Sequence, residues 1–142
     1  MSLSSIFDIA GSGMNAQSVR LNTTASNIAN AETASSSIDQ VYRGRHPVFS
    51  TLHQSLLDGP FNRSDESVGV KVDGIVESDA PLQPRYEPQH PKADEDGYVY
   101  YPNVNVVEEM TNMISASRSF QVNVDIMNSA KQMVQRVLTL GQ

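Results

Sequence analysis

The segment between Asn103 and Leu140 contains neither proline nor glycine, and its apolar residues recur at steps of three and four. That spacing is typical of an α-helix that packs along a partner, as in a coiled coil. Asn105 is placed to cap the first turn, with Glu108 three residues later. The pattern predicts one helix of about 35 residues, roughly 50 Å long. Its repeating positions are Val106, Met110, Met113, Ser117, Phe120, Val124, Met127, Lys131, Val134 and Leu138.

A weaker helical pattern with the same spacing runs through residues 1–31. Its repeating positions are Phe7, Ala10, Met14, Gln17, Leu21, Thr24 and Ile28. Only Asp8 and Arg20 are charged before Glu32, and Gly11 and Gly13 each weaken a helix by about 1 kcal/mol relative to alanine. A helix of this composition is marginal in isolation. Two interpretations remain open: the segment becomes ordered only on a partner in a dense assembly, or it docks on the C-terminal helix of the same chain.

The middle of the chain differs from both ends, because all seven prolines lie between Pro47 and Pro102. Proline breaks helices, so this region is expected to be extended. Strands are predicted at 42–49 and at 68–76, where Val68, Val70 and Val72 alternate. Loops or extended segments are expected at 53–67 and 80–97.

These patterns together predict an α+β fold. Long N- and C-terminal helices pack as a coiled-coil-like pair, and a small β or extended region lies between them in the sequence. The predicted divisions are an N-terminal helical unit in residues 1–34, a middle region in residues 35–102 and a C-terminal helical unit in residues 103–142.

The charge of the chain argues against two classes of partner. The net charge is -6, and the ten lysines and arginines are spread along the sequence, whereas nucleic acids and anionic membranes require a basic face. No apolar run approaches the roughly 20 residues of a membrane span. The first residues also lack the basic and apolar segments of a cleaved signal peptide. We therefore expect neither nucleic-acid binding nor membrane insertion.

No group of residues indicates catalysis or metal binding. The chain has no cysteine, and His46, His53 and His90 do not occur at the spacing of a known metal motif. Residues 94–97 resemble the start of a calcium-binding loop but lack the remaining ligands, so they are predicted to form a turn. We expect no catalytic residue, no cofactor and no metal site.

Motifs at both ends resemble those of the flagellar axial family, which comprises rod, hook and hook-associated proteins. Near the N-terminus, residues 21–33 read LNTTASNIANAET, and the contiguous Ser-Asn-Ile-Ala-Asn at 26–30 is similar to the family's rod signature. Residues 104–110 (VNVVEEM) and the following Arg118, Phe120 and Asn123 are similar to its C-terminal motif. The segment 90–105 is similar to one rod member in particular.

The resemblance implies a structural subunit that assembles with copies of itself and with other flagellar rod proteins in the periplasmic part of the basal body. It also implies export by the flagellum-specific type III apparatus without a cleaved signal peptide. In this reading the terminal helices form the core of the rod. The predicted subunit contacts are Phe7, Met14, Leu21, Asn27, Ile28, Asn30, Val106, Met110, Met113, Phe120, Val124, Met127, Val134 and Leu138.

Two points stay open in this reading. Arg118 lies off the main seam of the C-terminal helix, where it either pairs with a carboxylate of another subunit or is solvated. The alternative function is a soluble binding module without catalytic activity, whose C-terminal helix docks in a groove of its partner.

Overall fold

A computed structural model describes residues 3–53 and 67–140 of the 142-residue chain. It contains two long helices, α1 (Leu3–Asn30) and α2 (Val106–Leu140), and a short 3-10 helix at Ile38–Gln40. Between the long helices lie the strands β1 (Arg45–His53), β2 (Ser67–Glu77), β3 (Gln83–Tyr86) and β4 (Tyr98–Tyr101). The predicted α+β class, with two terminal helices packed on each other and a small middle region with strands, is confirmed.

The two long helices run antiparallel and pack on each other within one chain. Arg20 of α1 donates a hydrogen bond to Asn112 of α2 at 3.0 Å, whereas Gly13, nearer the start of α1, lies beside Asn123, further along α2. Of the two interpretations that the sequence left open, docking on the helix of the same chain is therefore the arrangement in the structure. Helix α2 has 35 residues and α1 has 28.

The start of α2 is capped as predicted. The backbone N–H groups of Val107 and Glu108 donate to the side-chain oxygen of Asn105 at 3.1 and 3.4 Å. The first turn also carries Glu108 and Glu109, whose negative charges are favourable at the positive end of a helix dipole. None of the helices in the described residues is both long and apolar enough to cross a membrane.

The middle region forms two separate antiparallel pairs, β1 with β2 and β3 with β4. Strands β1 and β2 confirm the two predicted strands, although β1 begins later than expected, at Arg45. A register shift between Val48 and Phe49 marks a β-bulge. Strand β3 lies in the segment predicted to be a loop or extended. Most of the loop predicted at 53–67 lies outside the described residues.

One attachment of the β1–β2 hairpin to α1 runs through Ser12. The Ser12 hydroxyl donates to the backbone oxygen of Ile9 at 2.8 Å and accepts a hydrogen bond from the N–H of Val70 in β2 at 3.1 Å. Gly69 packs directly on this serine with a φ of 147°. Strand β2 of the hairpin therefore packs on α1 at Ser12.

Candidate assembly surface

The fully buried apolar residues of α1 and α2 all have small side chains. They are Ala10 and Ala16 of α1, both 2% exposed, and Ala116 and Ala130 of α2, 0% and 1% exposed. Alanine fills little volume, so these positions permit the two helices to approach closely. The larger apolar residues described in both helices are half-buried or exposed.

Gly13 of α1 lies where a side chain of α2 comes close to the α1 backbone. A Cβ atom at Gly13 would lie 3.0 Å from Nδ2 and 3.2 Å from Oδ1 of Asn123, whereas a Cβ at Gly11 would have nothing within 4 Å. Asn123 is itself held by a hydrogen bond to the backbone oxygen of Ser119 at 3.0 Å. Among the described residues, Gly13 therefore has a packing role, and none is found for Gly11.

We predict opposite results for alanine at these two glycines. Gly11→Ala is expected to raise the free energy of unfolding by up to about 1 kcal/mol, because alanine is the better helix former. Gly13→Ala is expected to be about 1–3 kcal/mol less stable than Gly11→Ala, because the added methyl group overpacks the contact with Asn123. Urea denaturation of the two purified variants, followed by circular dichroism, measures the difference. Equal stabilisation of both variants would contradict the packing role of Gly13.

Asn27, in the N-terminal motif, fastens the loop that follows α1 to the helix. It is 0% exposed, and its Oδ1 accepts hydrogen bonds from the Tyr42 hydroxyl at 2.8 Å and from the Arg45 N–H at 2.9 Å. Its Nδ2 donates to the Arg45 backbone oxygen at 2.8 Å. The side chain thus satisfies both backbone groups of the first residue of β1. Its role in the subunit is to fix where the hairpin begins.

A second asparagine, Asn103, holds the middle region from the C-terminal half of the chain, just before α2. Its side-chain oxygen accepts a hydrogen bond from the Gly44 N–H at 2.8 Å. Its amide nitrogen donates to the backbone oxygens of Ser78 and Ala80 at 3.1 and 2.8 Å. Asn27 and Asn103 therefore hold the middle region to the ends of both helices.

The predicted subunit contacts occupy three kinds of position in the single chain. Asn27 is buried, and most of the other predicted contacts are half-buried. Met110 and Leu138 are 53% and 66% exposed. The half-buried ones are Phe7, Met14, Leu21, Ile28, Asn30, Val106, Met113, Phe120, Val124, Met127 and Val134.

Helix α2 exposes further large apolar side chains that were not among the predicted contacts. Val107 is 73% exposed, and other exposed apolar side chains follow it along the helix as far as Leu138. The remaining members are Ile114, Val122, Ile126, Met133 and Val137, between 43% and 63% exposed. Contiguous exposed apolar surface on a soluble subunit marks an interaction site. Periodicity alone could not separate these residues from those facing α1.

The groups considered for metal or catalytic chemistry have ordinary structural partners or none. Both side-chain oxygens of Asp94 are engaged in a turn, Oδ1 by the N–H groups of Asp96 and Tyr98, and Oδ2 by the Tyr100 hydroxyl at 3.3 Å. Burial, followed by the charge of Asp94, raises the pKa of Tyr100. No cluster of three metal-ligating side chains occurs in the described part of the chain. Of the histidines, His46 is exposed, and His90 accepts a hydrogen bond from the Lys92 N–H at 3.1 Å.

An antiparallel pair of terminal helices that buries small residues and exposes large apolar ones presents a surface typical of subunits that assemble. Comparison with known proteins identifies the class. Residues 7–34 match the family described as "Flagella basal body rod protein", and residues 95–140 match "Flagellar basal body rod FlgEFG protein C-terminal". The first match covers α1 from Phe7 onward, and the second covers the whole of α2.

Full-length relatives identify the family more narrowly. The chain is 47% identical to flagellar basal-body rod protein FlgC of Salmonella typhimurium over 142 residues, which are 100% of both chains. It is 48% identical to FlgC of Escherichia coli O157:H7, again over 100% of both. FlgC of Borreliella burgdorferi is 36% identical over 100% of this chain and 99% of the relative. The chain belongs to the FlgC family of flagellar basal-body rod proteins, and no comparison supports the alternative of a helix-in-groove binding module.

Proposed function

We propose that the chain is a structural subunit of the proximal rod in the flagellar basal body, where it assembles with copies of itself and with other rod proteins. The observation that carries this proposal is similarity to FlgC proteins along the entire chain, including the middle region. The exposed apolar residues of α2 support it, because an assembled rod would remove them from water. The role is mechanical: the assembled subunits transmit torque, and no catalytic step is involved.

Location and delivery are the finer parts of the proposal. The subunit would stand in the periplasmic part of the rod, and the flagellar type III apparatus would export it without a cleaved signal peptide. Both follow from the family resemblance. The predicted contact residues of the two helices are proposed to meet neighbouring subunits.

Genetic complementation tests this function. In a flagellated bacterium that lacks its own copy of the gene, the full chain is expected to restore motility and to appear in purified basal bodies. A chain without residues 1–20 is expected to restore neither, because α2 then loses most of its helical partner. Gln83→Ala, on exposed strand β3, serves as the control and should restore both. Basal bodies that lack the full chain, or a motile strain with the truncated one, would contradict the proposal.

A further inference from the structure

One row of α2 residues faces away from every described part of the chain. Met110, Ile114, Arg118, Val122 and Ile126 follow each other at steps of four, which is the spacing of a ridge on a helix surface. The four apolar members are 53%, 55%, 56% and 43% exposed in chain order, and Arg118 is exposed at the centre of the row. We call this row the α2 ridge.

Arg118 lacks a partner within the described residues. The ion pairs among them join Arg45 to Glu77 and Lys71 to Asp73, and no hydrogen bond involves the Arg118 side chain. An arginine in the middle of an apolar ridge loses its hydration when the ridge is covered, so a covering surface that supplies a carboxylate is favoured over one that supplies no acceptor. The ridge therefore favours a partner that offers room for large side chains and one negative charge.

The outer face of α1 has both properties. Its exposed members are Ser4, Asp8, Asn15, Asn22, Ala25 and Ala29. All have short side chains, and Asp8 is the one charge among them. No ion pair or hydrogen bond of the Asp8 carboxylate occurs in the described residues. We call these six residues the α1 outer face.

Gly11 adds an independent observation at the same place. It follows Asp8 by one helical turn, and a Cβ atom there would meet nothing within 4 Å among the described residues. Glycine in a helix costs about 1 kcal/mol relative to alanine, and no contact with the described part of the chain accounts for it. A helix from another molecule that approaches beside Asp8 does account for it, because glycine permits the closest approach.

We propose that the α2 ridge of one copy packs on the α1 outer face of a second copy, with Arg118 of the first paired with Asp8 of the second. This inference rests on the proposed function and names the contact through which copies assemble. The two surfaces differ from each other, so the contact is heterologous. Repetition of such a contact generates a ring or a helical array rather than a closed dimer, which is the geometry that a rod requires.

The β1–β2 hairpin is the main competing occupant of the ridge. It exposes apolar residues as well, including Val48 and Val76 at 46% and 56%. In the described strands of the hairpin, however, the carboxylates of Asp73 and Glu77 are already paired with lysine and arginine on the same hairpin. Strand side chains also offer no line of small residues into which a helix ridge fits. Charge and shape therefore favour the α1 outer face.

Charge reversal tests the pairing. Asp8→Lys and Arg118→Glu are each expected to lower the association constant for self-assembly about ten-fold, because each places like charges together. The double variant is expected to recover to within about three-fold of the unchanged chain. Sedimentation at graded concentrations measures association of the full chain, and motility in the deletion strain gives the readout in cells. Circular dichroism verifies that the variants, all at exposed positions, remain folded.

Gly11→Ala provides a second variant whose effect cannot come from misfolding. It is expected to stabilise the single chain, as argued above, and yet to weaken self-association several-fold, because the methyl group holds the neighbouring helix away. Unchanged or stronger self-association of Gly11→Ala would count against the contact. So would a double charge variant that is no better than the two single ones.

Cross-linking locates the neighbour directly, since the chain has no cysteine of its own. Asn15 follows Asp8 by seven residues, and Thr111 and Asp125, both exposed, each lie seven residues from Arg118. Asn15→Cys in one copy is therefore combined with Thr111→Cys or Asp125→Cys in another, and oxidation of assembled basal bodies is expected to link one of these two pairs. Arg85→Cys, on exposed β3, replaces Asn15→Cys as the control and should give no link. Failure of both pairs, or a link to a different rod protein, overturns the inference even when basal bodies contain the chain. Absence of the chain from basal bodies would instead overturn the proposed function.

Discussion

Asn27→Ala is expected to lower the free energy of unfolding by about 3–5 kcal/mol. The substitution leaves the N–H and the carbonyl oxygen of Arg45 without their side-chain partner, and the Tyr42 hydroxyl keeps only its contact with the Ser26 hydroxyl at 3.4 Å. Each buried polar group left unpaired costs about 1–3 kcal/mol, and the position itself is 0% exposed. Domains of this size have total stabilities of about 5–15 kcal/mol, so the variant should be near the limit of folding at growth temperature.

Asn30→Ala is the matched control within the same motif. The Asn30 side chain donates to the backbone oxygen of Ser26, in its own helix, at 2.9 Å, and it makes no side-chain bond to another element in the described residues. Its removal is expected to change stability by less than about 0.5 kcal/mol. Urea denaturation of both variants decides the comparison. If Asn27→Ala is as stable as Asn30→Ala, the asparagine does not hold the hairpin in place.

The contrast between these two asparagines shows where sequence reasoning stops. The motif singled out Asn27 and Asn30 equally, because both belong to the same run of five residues. The structure separates them through partners 15 and 18 residues away, in a loop whose path no local pattern specifies. A motif identifies the residue, whereas its hydrogen bonds depend on how distant segments meet.

Helix α2 shows a related limit. Its extent and its cap were predictable, since both depend on local spacing and on Asn105. The side of α2 that faces α1 was not predictable. Periodicity in large apolar residues marks every side of a helix that becomes buried, whether within the chain or between chains. Ala116 and Ala130 form the contact inside the subunit, while Met110 was chosen from the same pattern and lies outward. Small residues carry little weight in a hydrophobic pattern, yet they set how closely two helices approach.

Gly69→Ala is expected to lower the free energy of unfolding by about 2–4 kcal/mol. Gly69 has a φ of 147°, a conformation that residues with a side chain adopt at a cost of about 1–3 kcal/mol. A Cβ atom there would also overlap the hydroxyl of Ser12. Moving that hydroxyl breaks its hydrogen bond to the Val70 N–H, which contributes about 1 kcal/mol. Conformational strain and loss of the attachment to α1 therefore act together.

Gly74→Ala, in the same strand, separates this effect from the general cost of changing a glycine. A Cβ at Gly74 meets nothing within 4 Å, and its φ is not positive. Alanine there is expected to be neutral or to stabilise by up to about 1 kcal/mol, because it restricts the unfolded chain. Ser12→Ala, which removes the hydrogen bond without straining β2, should lose about 1 kcal/mol. If Gly69→Ala loses no more than Ser12→Ala, the backbone of β2 relaxes at this position, and the loss of the serine hydrogen bond accounts for the whole effect.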